Sequence, residues 1–96
     1  MAMHVITRKR INEFSASHPD GAASLNAWYA IINKTEFKSF AELRKTFPGA
    51  DWVGGKVIFN IGGNKYRLIA AIHFNRGKVY IRNILTHVEY DKGGWK

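Results

Sequence analysis

The 96-residue sequence contains no cysteine. That excludes disulfides and thiolate metal sites, and four scattered histidines alone make a poor zinc ligand set. No metal and no other cofactor is expected. The absence also fits a reducing compartment, so the cytoplasm is the expected location. No stretch is long and apolar enough to span a bilayer. The N-terminus reaches Arg8-Lys9-Arg10 without an apolar run, so it carries no signal-peptide pattern. Proline occurs only twice, as Pro19 and Pro48, and each marks a break between elements. Repeats, low-complexity tracts and linkers are missing too. The length suits one compact domain, expected over residues 3–96, with Met1-Ala2 as a start-site extension.

Acid is the other shortage. Seven Asp and Glu face fifteen Lys and Arg, a formal charge of +8, and no acid lies between Lys56 and Arg82. Such a balance speaks to partners rather than to fold. Nucleic acid is the first expectation and an acidic protein the second. A membrane surface fits less well, because no basic amphipathic helix stands out.

What is present reads as alternating blocks. His4-Val5-Ile6 suits a short strand. Residues 8–17 read as a polar helix with Ile11 and Phe14 as its apolar contacts. His18-Pro19-Asp20-Gly21 ends it. Residues 22–33 form the clearest helix, with Ala23 or Leu25, Trp28, Tyr29, Ile31 and Ile32 as a wide apolar stripe. Ser39 with Glu42 three residues on predicts the N-terminus of a third, short helix that stops by Phe47-Pro48. Asp51 to Gly55 then leads into a sheet. Phe14, Trp28, Ile32 and Phe40 are expected in the core.

Three strands follow, joined by turns at Gly62-Gly63-Asn64 and Asn75-Arg76-Gly77. Strict two-residue alternation puts Val57, Phe59, Ile61, Tyr66, Leu68, Ala70, Ile72, Val79 and Ile81 on one face. It puts Lys56, Ile58, Asn60, Lys65, Arg67, Ile69, Ala71, His73, Lys78, Tyr80, Arg82 and Ile84 on the other. Helices gathered on the first face of an antiparallel sheet make an α+β domain. The second face, basic and partly aromatic, is expected to stay open and to suit phosphates and bases. Arg67 and Arg82 weigh most there, since a guanidinium fork matches two phosphate oxygens.

Thr86 and Glu89 have capping-box spacing, so a short helix is expected after the third strand. On it His87, Tyr90 and Asp91 share a face. His87 is the candidate acid or base, Tyr90 its candidate counterpart, and Asp91 either a partner that orients His87 or simply a pair for Lys92. Gly62-Gly63 is a hairpin turn and not a phosphate loop, because no Gly-Lys-Ser/Thr follows.

The block running VIFNIGGNKYRLIA from Val57, with Tyr80-Ile81-Arg82 and the block THVEYDK from Thr86, resembles the signature of the HigB family of bacterial toxins. Arg8-Lys9-Arg10, Ala27-Trp28-Tyr29 and Phe47-Pro48 extend the resemblance over nearly the whole chain. It implies the toxin of a type II toxin–antitoxin pair in the RelE-like superfamily. Such a toxin is an mRNA interferase, an endoribonuclease acting on translating 70S ribosomes, with a microbial-ribonuclease-like α+β fold. The implied partner is a cognate helix-turn-helix antitoxin. Arg67 stands where the superfamily commonly holds the phosphate, His87 where it commonly places the acid, and Tyr90 where a C-terminal tyrosine completes the site. Arg82 joins them from strand phase. Lys56, Lys65, Tyr80 and Lys92 are the expected RNA contacts. A non-catalytic RNA-binding module and a domain that docks an acidic protein are the alternatives.

Overall fold

In the computed structural model, which describes residues 3–6, 8–63 and 65–95, the chain runs β1 (His4–Val5), α1 (Lys9–Ser17), a 3-10 turn (Pro19–Gly21), α2 (Ala22–Lys34), α3 (Phe40–Thr46), β2 (Asp51–Val53), β3 (Lys56–Ile61), β4 (Tyr66–His73), β5 (Lys78–Thr86) and α4 (His87–Asp91). Asn64, part of one expected turn, and the Met1-Ala2 extension lie outside the described residues. The strands form one mixed sheet in the order β1-β5-β4-β3-β2. Every neighbouring pair is antiparallel except β1 and β5, which run parallel with His4 opposite Lys78. This is the expected α+β architecture, with one strand more than the sequence reading allowed.

The added strand is β2. Trp52 pairs with Val57 and Val53 with Lys56, closing a hairpin over Gly54-Gly55. Both glycines have positive φ, 57° and 81°, which a two-residue hairpin turn requires. A three-residue edge strand with an exposed tryptophan gives little periodic signal.

The helices bury the face carrying Val57, Phe59, Leu68 and Ile81, as the alternation requires. Leu25, Trp28 and Ile32 of α2, Ile11 of α1 and Leu43 of α3 close the core against these strands. Within α2 the buried set is narrower than the stripe read from sequence. Leu25, Trp28 and Ile32 are buried, whereas Ile31 is exposed. The third helix starts as expected, with Ser39 Oγ accepting from the Glu42 backbone N–H at 3.2 Å.

One contact locks the helical layer to the top of β4. The Tyr66 hydroxyl donates to Asp20 Oδ1 at 2.7 Å. That bond holds the Asp20 carboxyl below the usual carboxylate range and pushes the phenol up. The ring lies against Gly21, where an added Cβ would come within 2.9 Å of it. Phe14 and His18 meet the same ring edge-on.

Two expectations about the opposite face are corrected. First, strict alternation fails in β5. Ile69 pairs with Asn83 but Ala70 with Ile81, so Arg82 is an extra residue at a β-bulge. Beyond it the faces exchange: Ile84 pairs with Leu68 and packs on the core, while Leu85 pairs with Arg67. Ile84 therefore does not lie on the basic face. Second, that face is not fully open. Ile58 and Ile69 pair across β3 and β4 on it, yet they are only 2% and 0% exposed. The C-terminal segment runs along the same face. It contacts Arg67 through Tyr90 at one end and Lys56 through the Trp95 carbonyl at the other, and both residues share the phase of this isoleucine pair. Burying such a side chain contributes about 1.5–3 kcal/mol.

Candidate active site

The site is assembled where β4, β5 and α4 meet. Helix α4 begins with the full capping box read from the sequence. Thr86 Oγ1 accepts from the Glu89 backbone N–H at 3.2 Å, and Glu89 Oε1 accepts from the Thr86 backbone N–H at 2.9 Å. The Thr86 backbone bond holds the Glu89 carboxyl below its usual range. A third bond fixes the helix in space: the His87 backbone N–H donates to the Lys65 carbonyl at 3.0 Å. The first residue of α4 is thereby tied to the chain two residues before Arg67.

Spacing along the helix does the rest. His87 Nδ1 lies 3.1 Å from Asp91 Oδ2, four residues on, in an exposed pair. A carboxylate at Nδ1 orients the imidazole and leaves Nε2 for solvent or substrate. Tyr90 turns back over the sheet, with the Arg67 guanidinium carbon 5.4 Å from its ring centroid. Arg67 Nη1 also donates to the Tyr66 carbonyl at 3.3 Å, which restrains the side chain along β4. The group so collected contains a cation, an imidazole and a phenol, one of each kind that phosphodiester cleavage uses.

Trp95 belongs to this group and was not read from the sequence. Its indole stacks on the Tyr90 ring, with centroids 5.0 Å apart and planes 12° from parallel. Its Nε1–H donates to the Tyr90 carbonyl at 2.9 Å. Gly93-Gly94 hides this contact, because two glycines carry no periodic pattern that would place the next residue.

The other expected residues divide by position. Arg82 is exposed at the bulge, level with Ile69 and Ala70, while Arg67 pairs with Leu85. Three residues of strand separate the two levels, roughly 10 Å. Lys65 Nζ sits 3.5 Å from Asp20 Oδ2, so the fold supplies an acid that local sequence did not. Lys56 donates to the Trp95 carbonyl at 3.5 Å. Tyr80 is half-buried and meets His73 edge-on, their centroids 5.3 Å apart. Lys92 is exposed just beyond α4. Among the described residues, no helix is long and apolar enough to cross a membrane.

Comparison with known proteins agrees with this geometry. The model of the HigB toxin family, described as the RelE-like toxic component of a toxin–antitoxin system, matches residues 21–93, from the 3-10 turn to the glycine after α4. The chain is 36% identical over 92 residues to the mRNA interferase toxin HigB of Escherichia coli K12, covering 93% of this chain and 88% of the relative. It is 32% identical over 93 residues to the mRNA interferase HigB of Escherichia coli O6:H1, covering 94% and 90%. The mRNA interferase HigB of Shigella flexneri is 36% identical over 92 residues. The chain belongs to the HigB toxin family of RelE-like toxic components of toxin–antitoxin systems.

Proposed function

We propose that this toxin is an mRNA interferase that cuts message on translating ribosomes in the cytoplasm and is neutralised by a cognate helix-turn-helix antitoxin. The observation that carries the reading is the convergence at α4, where the His87–Asp91 pair and the Arg67–Tyr90 contact lie within one and a half helical turns. The names of the relatives support RNA as the substrate.

The chemistry is metal-independent. The ribose 2′-OH attacks the adjacent phosphorus, the bond to the 5′-oxygen breaks, and a 2′,3′-cyclic phosphate and a 5′-hydroxyl result. Tyr90 takes the 2′-OH proton as its ring lies against Arg67, and His87, oriented by Asp91, delivers a proton to the leaving oxygen. Arg67 holds the phosphoryl oxygens, where negative charge grows during the reaction. Arg82, Lys56, Lys65, Tyr80 and Lys92 bind the flanking strand, Lys56 through the ammonium protons that its bond to the Trp95 carbonyl leaves over. For Lys65 this means exchanging the exposed Asp20 carboxylate for a phosphate.

The test is primer extension on an mRNA in a purified translation system, with the same naked mRNA beside it. Discrete cuts on the translated message only are expected. Arg67→Ala and His87→Ala should each lower the rate by about 10²-fold or more, the range for a lost general acid or charge clamp. Cleavage that persists at a 2′-deoxy residue would exclude the 2′-OH mechanism. Intact message in every lane would favour a binding module.

A further inference from the structure

We propose that Trp95 is a positioning residue for Tyr90, holding the phenol in place over Arg67 from outside the helix that carries it. The proposal deepens the reading of Tyr90 as a proton acceptor and rests on it. Helix α4 has five residues, too short to be rigid on its own. Its start is secured by the capping box and the Lys65 bond, but Tyr90 sits at its far end. There the chain reverses at Gly93, whose φ is 74°, and its N–H donates to the Tyr90 carbonyl at 3.1 Å. The turn returns Trp95 onto the residue that the helix has just presented.

Three contacts then act together. The indole ring stacks on the phenol ring, the indole N–H bonds the Tyr90 carbonyl, and the Trp95 carbonyl accepts from Lys56 Nζ on β3. The first two grip both the side chain and the backbone of Tyr90. The third anchors the grip to the sheet that carries Arg67. Trp95 thus ties a marginal helix to a strand of the core, which fixes one ring relative to one guanidinium. Reacting groups need that placement, since displacement by about 1 Å can cost 10²-fold in rate.

The experiment measures single-turnover mRNA cleavage at varied toxin concentration in the purified translation system. Wild type, Trp95→Ala, Trp95→Phe, Tyr90→Phe and the double variant Trp95→Ala/Tyr90→Phe are compared. Trp95→Ala should lower the limiting rate on the order of tenfold and leave the half-saturating concentration unchanged. Trp95→Phe, which can stack but cannot donate, should recover most of that loss and serves if the alanine variant does not fold. In the Tyr90→Phe background, Trp95→Ala should cost nothing further. An equal cost in both backgrounds, or a loss confined to half-saturation, would overturn the proposal. A Tyr90→Phe variant at wild-type rate would instead remove Tyr90 from the chemistry, which is the failure of the underlying reading. Fluorotyrosine labelling reads the contact without activity. The Tyr90 resonance, assigned by Tyr90→Phe, should shift in Trp95→Ala while those of Tyr29, Tyr66 and Tyr80 stay, and an unmoved Tyr90 line would refute the contact.

Discussion

A single residue, Tyr66, shows how the fold sets a pH range for its own stability. Its hydroxyl bonds Asp20, and the bond shifts the two groups in opposite directions. The carboxyl is held below its unfolded value, so its contribution is present above about pH 4 and fades as pH falls through the folded value. The phenol is raised above its unfolded value, so its contribution is complete below about pH 10 and fades as pH rises through the folded one. Urea midpoints should therefore fall on both sides of this window. Asp20→Asn should flatten both limbs, and an unchanged acid limb in that variant would assign the slope to other carboxylates. No local sequence rule pairs residues so far apart, so in the sequence Asp20 carries only a turn signal. The strand phase of Arg67 and the shared helix face of His87, Tyr90 and Asp91 were legible, because hairpin parity and helical spacing are both short-range. Trp95 was not, since it reaches the site by a chain reversal through two glycines.

At the scale of elements, α4 is the part whose stability and proposed chemistry cannot be separated. Its cap satisfies backbone donors that a five-residue helix cannot afford to leave bare. Thr86→Ala should cost about 1 kcal/mol. Because the same residue sets where His87 begins, cleavage should fall more than that destabilisation explains. Thr86→Ser should restore both, as measured by thermal unfolding beside the cleavage assay. Recovery of stability without recovery of rate would mean that the cap does not control His87. The helices and the meander were readable from apolar spacing and turn residues. β2 was not, because its partner and not its own pattern makes it a strand. Nor was the Arg82 bulge, since one inserted residue leaves composition unchanged while reversing the parity of all that follows. Strict alternation thus misassigned Ile84 and gave no place on the open face to Leu85.

For the whole molecule, the +8 charge governs encounter with RNA. Affinity for single-stranded RNA should fall steeply with salt, with a log–log slope of roughly −0.7 for each phosphate contact. Removing one exposed cation, as in Lys92→Ala, should reduce the slope by about that amount, read by fluorescence anisotropy over a salt series. A slope unaffected by Lys92 would place the RNA path away from the end of α4. The sequence revealed this charge and its concentration on one face. It did not reveal that the C-terminal segment runs along that face, because two isoleucines among basic residues look like noise.

The parallel pairing of β1 with β5 also orders events in time. A ribosome makes β1 before the rest of the sheet, yet its hydrogen-bonding partner emerges only after α1, α2, α3, β2, β3 and β4. Arg67, His87, Tyr90 and Trp95 also follow α1, α2 and α3 in the chain. The first strand therefore waits unpaired until β5 has been made, and the nascent chain passes through a phase with a forming core but without the residues proposed to cut. Before β5 and α4 are made, a nascent toxin lacks the groups proposed to cut the message from which it is read.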